Sequence, residues 1–180
     1  MQQKLKKIKL VITDVDGVLT DGLLHYDANG EAIKSFHVRD GLGIKMLMES
    51  GIRVAVLSGR DSAILRRRIA DLGITLFFLG KLEKESACFE LMKQAGVKPE
   101  ETAYIGDDSV DLPAFAVSGL SFAVADAPLY VKNAADYVLS LEGGKGAFRE
   151  MSDMILTAQG KSAVFDSAQG FLKSVKNMVQ

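Results

Sequence analysis

The strongest constraint in this chain is the alternation of short apolar runs with longer amphipathic stretches. Residues 8–13, 53–57, 76–79, 102–105, 121–124 and 136–139 are each close to continuously apolar, as strands are when helices cover both faces of a parallel sheet. Between them, residues 42–50 carry Leu42, Ile44, Met46 and Leu47 and stop at Gly51. Residues 61–72 open on Asp61-Ser62, which are capping residues, and stop at Gly73. Residues 83–95 place Ala87, Cys88, Leu91 and Met92 on one face and stop at Gly96. Strand, helix, strand, helix at this spacing predicts right-handed crossovers in one doubly wound, mostly parallel α/β sheet of Rossmann-like form. One stretch breaks the rhythm. Residues 23–37 alternate apolar and polar residues around Asp27-Ala28-Asn29-Gly30, which predicts a β-hairpin projecting just after the first strand.

At 180 residues the expectation is a single domain spanning 1–180, with residues 161–180 as a C-terminal helical tail. That tail holds Val164, Phe165, Ala168, Phe171, Leu172 and Val175 at helical spacing. Lys and Arg total 22 against 23 Asp and Glu, a net charge of −1. No basic excess exists to displace counterions, which excludes nucleic acid as the main partner. The single cysteine, Cys88, has no internal partner and points to a reducing compartment. The apolar run after the charged start ends at Asp14, too short for a signal peptide, and no run is long enough to span a membrane. The expected location is cytoplasmic, with no membrane partner.

The chemistry gathers at the predicted strand ends. The first strand runs into Asp14-Val15-Asp16-Gly17-Val18-Leu19-Thr20-Asp21, and another runs into Gly106-Asp107-Asp108-Ser109-Val110-Asp111. Open α/β sheets place their sites beyond the carboxyl ends of the strands. An acidic turn or a helix start decorated for its dipole accounts for part of this pattern. Five or more carboxylates at two such ends also suit a hard divalent cation, Mg²⁺ in particular. Ser58-Gly59-Arg60 follows a third strand and offers a hydroxyl and a turn that can cradle phosphate. Lys84, near Lys81, is either a solvated lysine or a counter-charge to phosphate.

In that order, Asp-x-Asp-Gly, Ser-Gly-Arg, Lys and Gly-Asp-Asp-x-x-Asp resemble the four motifs of the haloacid dehalogenase superfamily. The wording at residues 14–22, 37–45, 57–60, 106–111 and 143–150 resembles, more narrowly, its lid-less phosphatases of 3-deoxy-D-manno-octulosonate 8-phosphate. The resemblance runs from residue 8 to about residue 155. It implies Mg²⁺-dependent hydrolysis of a phosphorylated sugar acid in lipopolysaccharide precursor synthesis. The intermediate would be an aspartyl-phosphate. Asp14 would be the nucleophile and Asp16 the general acid and base, with Ser58 and Lys84 on the phosphoryl group. Metal would be held by Asp14, Asp107 and the carbonyl of Asp16. Substrate contacts would come from Asp16, His37, Val38, Arg39, Asp40, Gly41, Lys45, Arg60, Arg68 and Lys84. An acid at position 16 favours ester cleavage, since dehalogenation leaves no alkoxide to protonate.

From Asp14 to Ser58 the chain has room for the hairpin and one helix, and from Ser58 to Lys84 for one helix and one strand. No lid domain fits. The resemblance supplies a homotetramer instead, with hairpins packed together through Leu23, Leu24, Ile33 and Phe36 and a neighbour closing each site. Gly143-Gly144-Lys145-Gly146 lacks phosphate-loop spacing and reads as a mobile tail within reach of a neighbouring site. Arg66 and Arg67 read as solvated helix residues. Two alternatives stay open: a phosphatase of nine-carbon sialic-type acid phosphates, and an inactive structural module of the same fold.

Overall fold

The computed structural model describes residues 1–175; residues 176–180 of the expected tail lie outside the described residues. Among the described residues, six strands form one parallel sheet in the order β5-β4-β1-β6-β7-β8. They are β1 (Leu10–Thr13), β4 (Arg53–Leu57), β5 (Leu76–Phe78), β6 (Thr102–Gly106), β7 (Leu120–Ala123) and β8 (Tyr137–Val138). The two remaining strands, β2 (His25–Asp27) and β3 (Gly30–Ile33), pair antiparallel as the hairpin. Its turn is pinned locally, because Asn29 N donates to Asp27 Oδ1 at 2.7 Å and Gly30 takes φ +122°.

The strands form where β-branched residues cluster and both faces can be covered. β1 is buried at all four positions, and β4 at every position but Arg53. The helices are α1 (Gln2–Leu5), α2 (Val38–Glu49), α3 (Ala63–Leu72), α4 (Lys84–Ala95), α5 (Leu112–Val117), α6 (Leu129–Ala134), α7 (Ala147–Ala158), α8 (Ala163–Asp166) and α9 (Ala168–Val175). α2 packs with α3 and α7, while α4 packs on β1, β4, β5 and α5. α3 and α4 stop at Gly73 and Gly96, both left-handed C-caps, as their glycines predict. No described helix is long and apolar enough to cross a membrane.

Two expectations change. α2 begins at Val38, four residues before its first periodic leucine, because His37 caps it: the His37 Nδ1 accepts from Arg39 N at 3.1 Å. The Gly143–Gly146 stretch is no free tail. Gly143 and Gly146 are buried, and Gly146 leads directly into α7.

The chain builds outward from β1 through β4 to β5, then returns across β1 to lay down β6, β7 and β8. The order therefore reverses at the β1–β6 boundary, the place where an open sheet leaves a crevice at its carboxyl end. Thr13 is in register with Val56 on one side and Ile105 on the other. Asp14, Ser58 and Asp107 thus emerge from three adjacent strands at one edge.

Candidate active site

Asp14 follows β1 with 5% of its surface exposed. Lys84, fully buried at the start of α4, sits between Asp14 Oδ2 at 2.9 Å and Asp111 Oδ1 at 2.7 Å. Asp111 is also fully buried and uses both oxygens. Oδ1 accepts from Lys84 and from the Tyr104 hydroxyl at 2.7 Å, while Oδ2 accepts from Asp107 N at 2.8 Å and Asp108 N at 3.2 Å. Asp111 thereby fixes Lys84 and the loop that carries Asp107. Its place in the acidic motif was visible in the sequence, but its role as an anchor needed the fold.

Carboxylate oxygens of Asp14, Asp107 and Asp111 lie within 4.8 Å of one another, a donor set that suits a hard cation. Burial and the charge of Asp111 push Asp14 up to about 7, with Lys84 pulling the other way. Burial, with Asp14 and Asp111 nearby, pushes Asp107 up to about 8. Burial alone would lower Lys84, but Asp14 and Asp111 outweigh it and hold the ammonium above its ordinary value. Two carboxylates kept from ionising by burial and by nearby negative charge are what a divalent cation relieves.

Backbone packing sets the turn after Asp14. The Thr20 hydroxyl accepts from Gly22 N at 3.2 Å, and Gly144 N donates to Val18 O at 2.9 Å. Gly143 N donates to Asp126 Oδ1 at 2.9 Å. A Cβ on Gly143 would fall 1.8 Å from Gly17 O, and one on Gly17 would fall 2.1 Å from Asp107 Oδ2. Gly143, Gly17 and Asp107 are therefore stacked in layers that admit no side chain. The glycine pair read as a loose tail is a clamp on the turn after Asp14.

The second carboxylate, Asp16, faces the hairpin. Its Oδ1 accepts from the Lys34 ammonium, and its Oδ2 lies 3.9 Å from Arg60 Nε. Glu31 sits 3.2 Å from Lys34 Nζ and 3.7 Å from Arg60 Nη2, and Arg60 Nη2 donates to the Tyr26 hydroxyl at 2.6 Å. Burial opposes ionisation of Glu31, but the nearby Ser62 hydroxyl and the two cations hold its carboxyl below the usual range. Lys34 and Glu31 escaped the sequence reading, because a lysine and a glutamate in a hairpin match any polar strand face. Ser58 is buried at the end of β4, with Oγ accepting from Arg60 N at 3.1 Å.

The other sugar-acid candidates gather elsewhere. Val38, Gly41, Lys45 and Arg68 line a groove of about 620 Å³ together with Phe171 and Val175 of α9. Arg68 lies 5.4 Å over the Phe36 ring, so Phe36 packs within its own chain. Val38 is 79% exposed and Arg39 is exposed, whereas Asp40 is buried and its Oδ1 accepts from Arg149 N at 2.9 Å. Asp40 ties α2 to α7. Arg66 and Arg67 pair with Asp61 and Asp71 at the surface.

Acidic strand ends at the switch point of this sheet, with a buried lysine between them, define a haloacid dehalogenase-like hydrolase. A sequence profile of that description matches residues 80–147. The chain is 84% identical over all 180 residues, and over the whole of the relative, to the 3-deoxy-D-manno-octulosonate 8-phosphate phosphatase of Haemophilus influenzae. A cobalt-bound structure of the Haemophilus influenzae phosphatase superposes with a TM-score of 0.93 at 85% identity, covering 94% of this chain and 99% of that one. The Moraxella catarrhalis phosphatase, solved with magnesium ion, phosphate ion and KDO, gives 0.87 at 40% identity over 91% and 94%. The chain belongs to the 3-deoxy-D-manno-octulosonate 8-phosphate phosphatase family.

Proposed function

We propose that this protein hydrolyses 3-deoxy-D-manno-octulosonate 8-phosphate to the free sugar acid and inorganic phosphate, in lipopolysaccharide precursor synthesis. The observation that carries the chemistry is Asp14, buried beside Lys84 and within reach of Asp107 at the switch point. Asp14 and Asp107, with the carbonyl of Asp16, would hold Mg²⁺; the Asp16 carboxylate is turned away to Lys34. The ion, when bound, screens the negative charges of phosphate and attacking carboxylate.

An Asp14 oxygen bonds to phosphorus as the bond from phosphorus to the sugar oxygen breaks. Asp16 gives its proton to that oxygen, then takes one from the water that cleaves the aspartyl-phosphate. Lys84 holds Asp14 in line and offsets charge on the phosphoryl oxygens, and Ser58 donates to them. The sugar acid carries a carboxylate and hydroxyls, which suit Arg39, Lys45, Arg60 and Arg68, with His37, Val38, Asp40 and Gly41 shaping that surface. Four of these, Val38, Gly41, Lys45 and Arg68, line the α2–α9 groove, and in this reading a neighbouring copy brings them to each site. The exposed hairpin residues Leu23, Leu24 and Ile33 suit a cytoplasmic homotetramer built for that exchange.

Phosphate release from the octulosonate ester and a panel of sugar phosphates tests this, with Mg²⁺, with chelator and with Asp14→Asn. The expected result is a strong octulosonate preference lost in both controls, the variant falling at least about 10⁴-fold. A preference for a nine-carbon acid phosphate would overturn the substrate, and no release from any ester would overturn the reaction. Sedimentation equilibrium tests the assembly, with a monomer counting against it.

A further inference from the structure

Two lysines are buried among the described residues, Lys84 and Lys34. The first belongs to the phosphoryl-transfer cluster. The second leaves the hairpin one residue past β3, where a long side chain could reach water easily. It turns inward instead, with 2% of its side chain exposed, and donates to Asp16 Oδ1. Glu31 supports it from the same hairpin at 3.2 Å.

The two oxygens of Asp16 are treated differently. Oδ1 is clamped by Lys34. Oδ2 is buried without a hydrogen bond and faces Arg60 Nε across 3.9 Å, beyond hydrogen-bonding range. One fixed oxygen and one unpaired oxygen are what a proton-transferring carboxylate needs. The first sets the direction of the group, and the second is left for the oxygen that must be protonated. Asp14 has its own cation in Lys84, so each carboxylate of the Asp-x-Asp pair is held by a separate lysine from a separate part of the chain.

We infer that Lys34 is a positioning residue for proton transfer: by holding Asp16 Oδ1 it aims Oδ2 at the leaving oxygen of the ester. The hairpin is thus part of the catalytic apparatus of its own chain, in addition to any role between chains. This inference rests on the phosphatase function proposed above.

The test exploits the leaving group. A sugar alkoxide needs a proton as it departs, whereas p-nitrophenolate is stable as the anion at neutral pH. kcat/KM reports the steps through departure, so it is measured in Mg²⁺ for the octulosonate ester and for p-nitrophenyl phosphate. Lys34→Met lowers kcat/KM on the sugar ester by about 10–100-fold, part of what a general acid contributes, and on the aryl ester by less than about threefold. Lys34→Arg recovers part of the ratio between the two. Equal losses on both esters would overturn the inference and leave Lys34 a staple of the hairpin, as would no loss on either. If Lys34→Met does not fold, Lys34→Gln carries the test, because it removes the charge that holds Asp16 Oδ1 and the ratio still drops; an unchanged ratio overturns the inference. Wild-type protein inactive on both esters would instead sink the phosphatase function itself.

Discussion

The two carboxylates of Asp14-Val15-Asp16 sit two residues apart and live in different surroundings. Asp14 belongs to an inner cluster built from adjacent strand ends, where Lys84 and Asp111 are closed off from water. Asp16 belongs to an outer cluster built across a hairpin and the loop after β4, where Arg60 remains 40% exposed. In the inner cluster burial dominates, so Asp14 and Asp107 are pushed up into the neutral range. In the outer one the cations and a hydroxyl dominate, and Glu31 is held down. The difference suits the roles proposed above. A buried acid cluster that resists ionising is a place for a cation, and a paired, half-open carboxylate is a place for proton transfer.

The sharpest way to break this contrast is to remove the two lysines separately. Lys84→Met leaves Asp14 and Asp111 buried without their counter-charge and should cost about 3–5 kcal/mol in urea unfolding. Lys34→Met should cost about 1 kcal/mol, because the Asp16 side chain is 20% exposed and Arg60 stays beside it. Similar losses for the two would mean that the outer cluster is as structural as the inner.

Gly143→Ala is expected next in size. The added methyl meets Gly17 O and must force the catalytic turn away from Asp107, costing about 1–3 kcal/mol. kcat should fall further than that stability loss explains, whereas Gly51→Ala, strained by its φ of +80° but with open space around it, should lose stability and leave kcat unchanged. Steady-state kinetics and thermal melts on the two variants decide it.

The smallest effect concerns pH. Asp14 and Asp107 have folded values near 7 and 8, above the ordinary 3.8. The folded state therefore holds protons that the unfolded chain has released. The stability this confers is complete below about pH 4 and is lost as pH rises through 7 and 8. In chelator the melting temperature should fall over that upper range, by ~2–4 °C per kcal/mol lost. Mg²⁺ should restore it most at the alkaline end. Asp107→Asn should flatten the slope; a slope of the opposite sign would show that the inner cluster is not electrostatically crowded.

How much of this was legible beforehand follows from the range of the forces involved. The parallel strands announced themselves because burial on both faces leaves an unbroken apolar run, as in residues 53–57. α3 and α4 announced their ends because Gly73 and Gly96 are read within one turn. The acidic strand ends were equally visible. α2 was trimmed by four residues because its start is set by a histidine cap, which carries no apolar period. Lys34, Glu31 and the Gly143–Gly144 clamp were illegible for another reason. Each acts on a residue far away in the chain, and nothing local to a hairpin lysine or a glycine pair says what it will touch. The hydrogen bond from Arg149 N to Asp40 was illegible in the same way, since its two partners lie far apart in the chain.

The clamp has a consequence for the order in which the molecule becomes an enzyme. Asp14, Asp16, Ser58, Lys84 and Asp107 all lie in the first 107 residues, and a growing chain presents them early. The bond from Gly144 N to Val18 O cannot form until the last crossover has been made. A nascent chain halted after β8 would hold all five of these residues and still lack the segment that sets the turn between them. Competence arrives late in synthesis, when the last crossover closes over that turn.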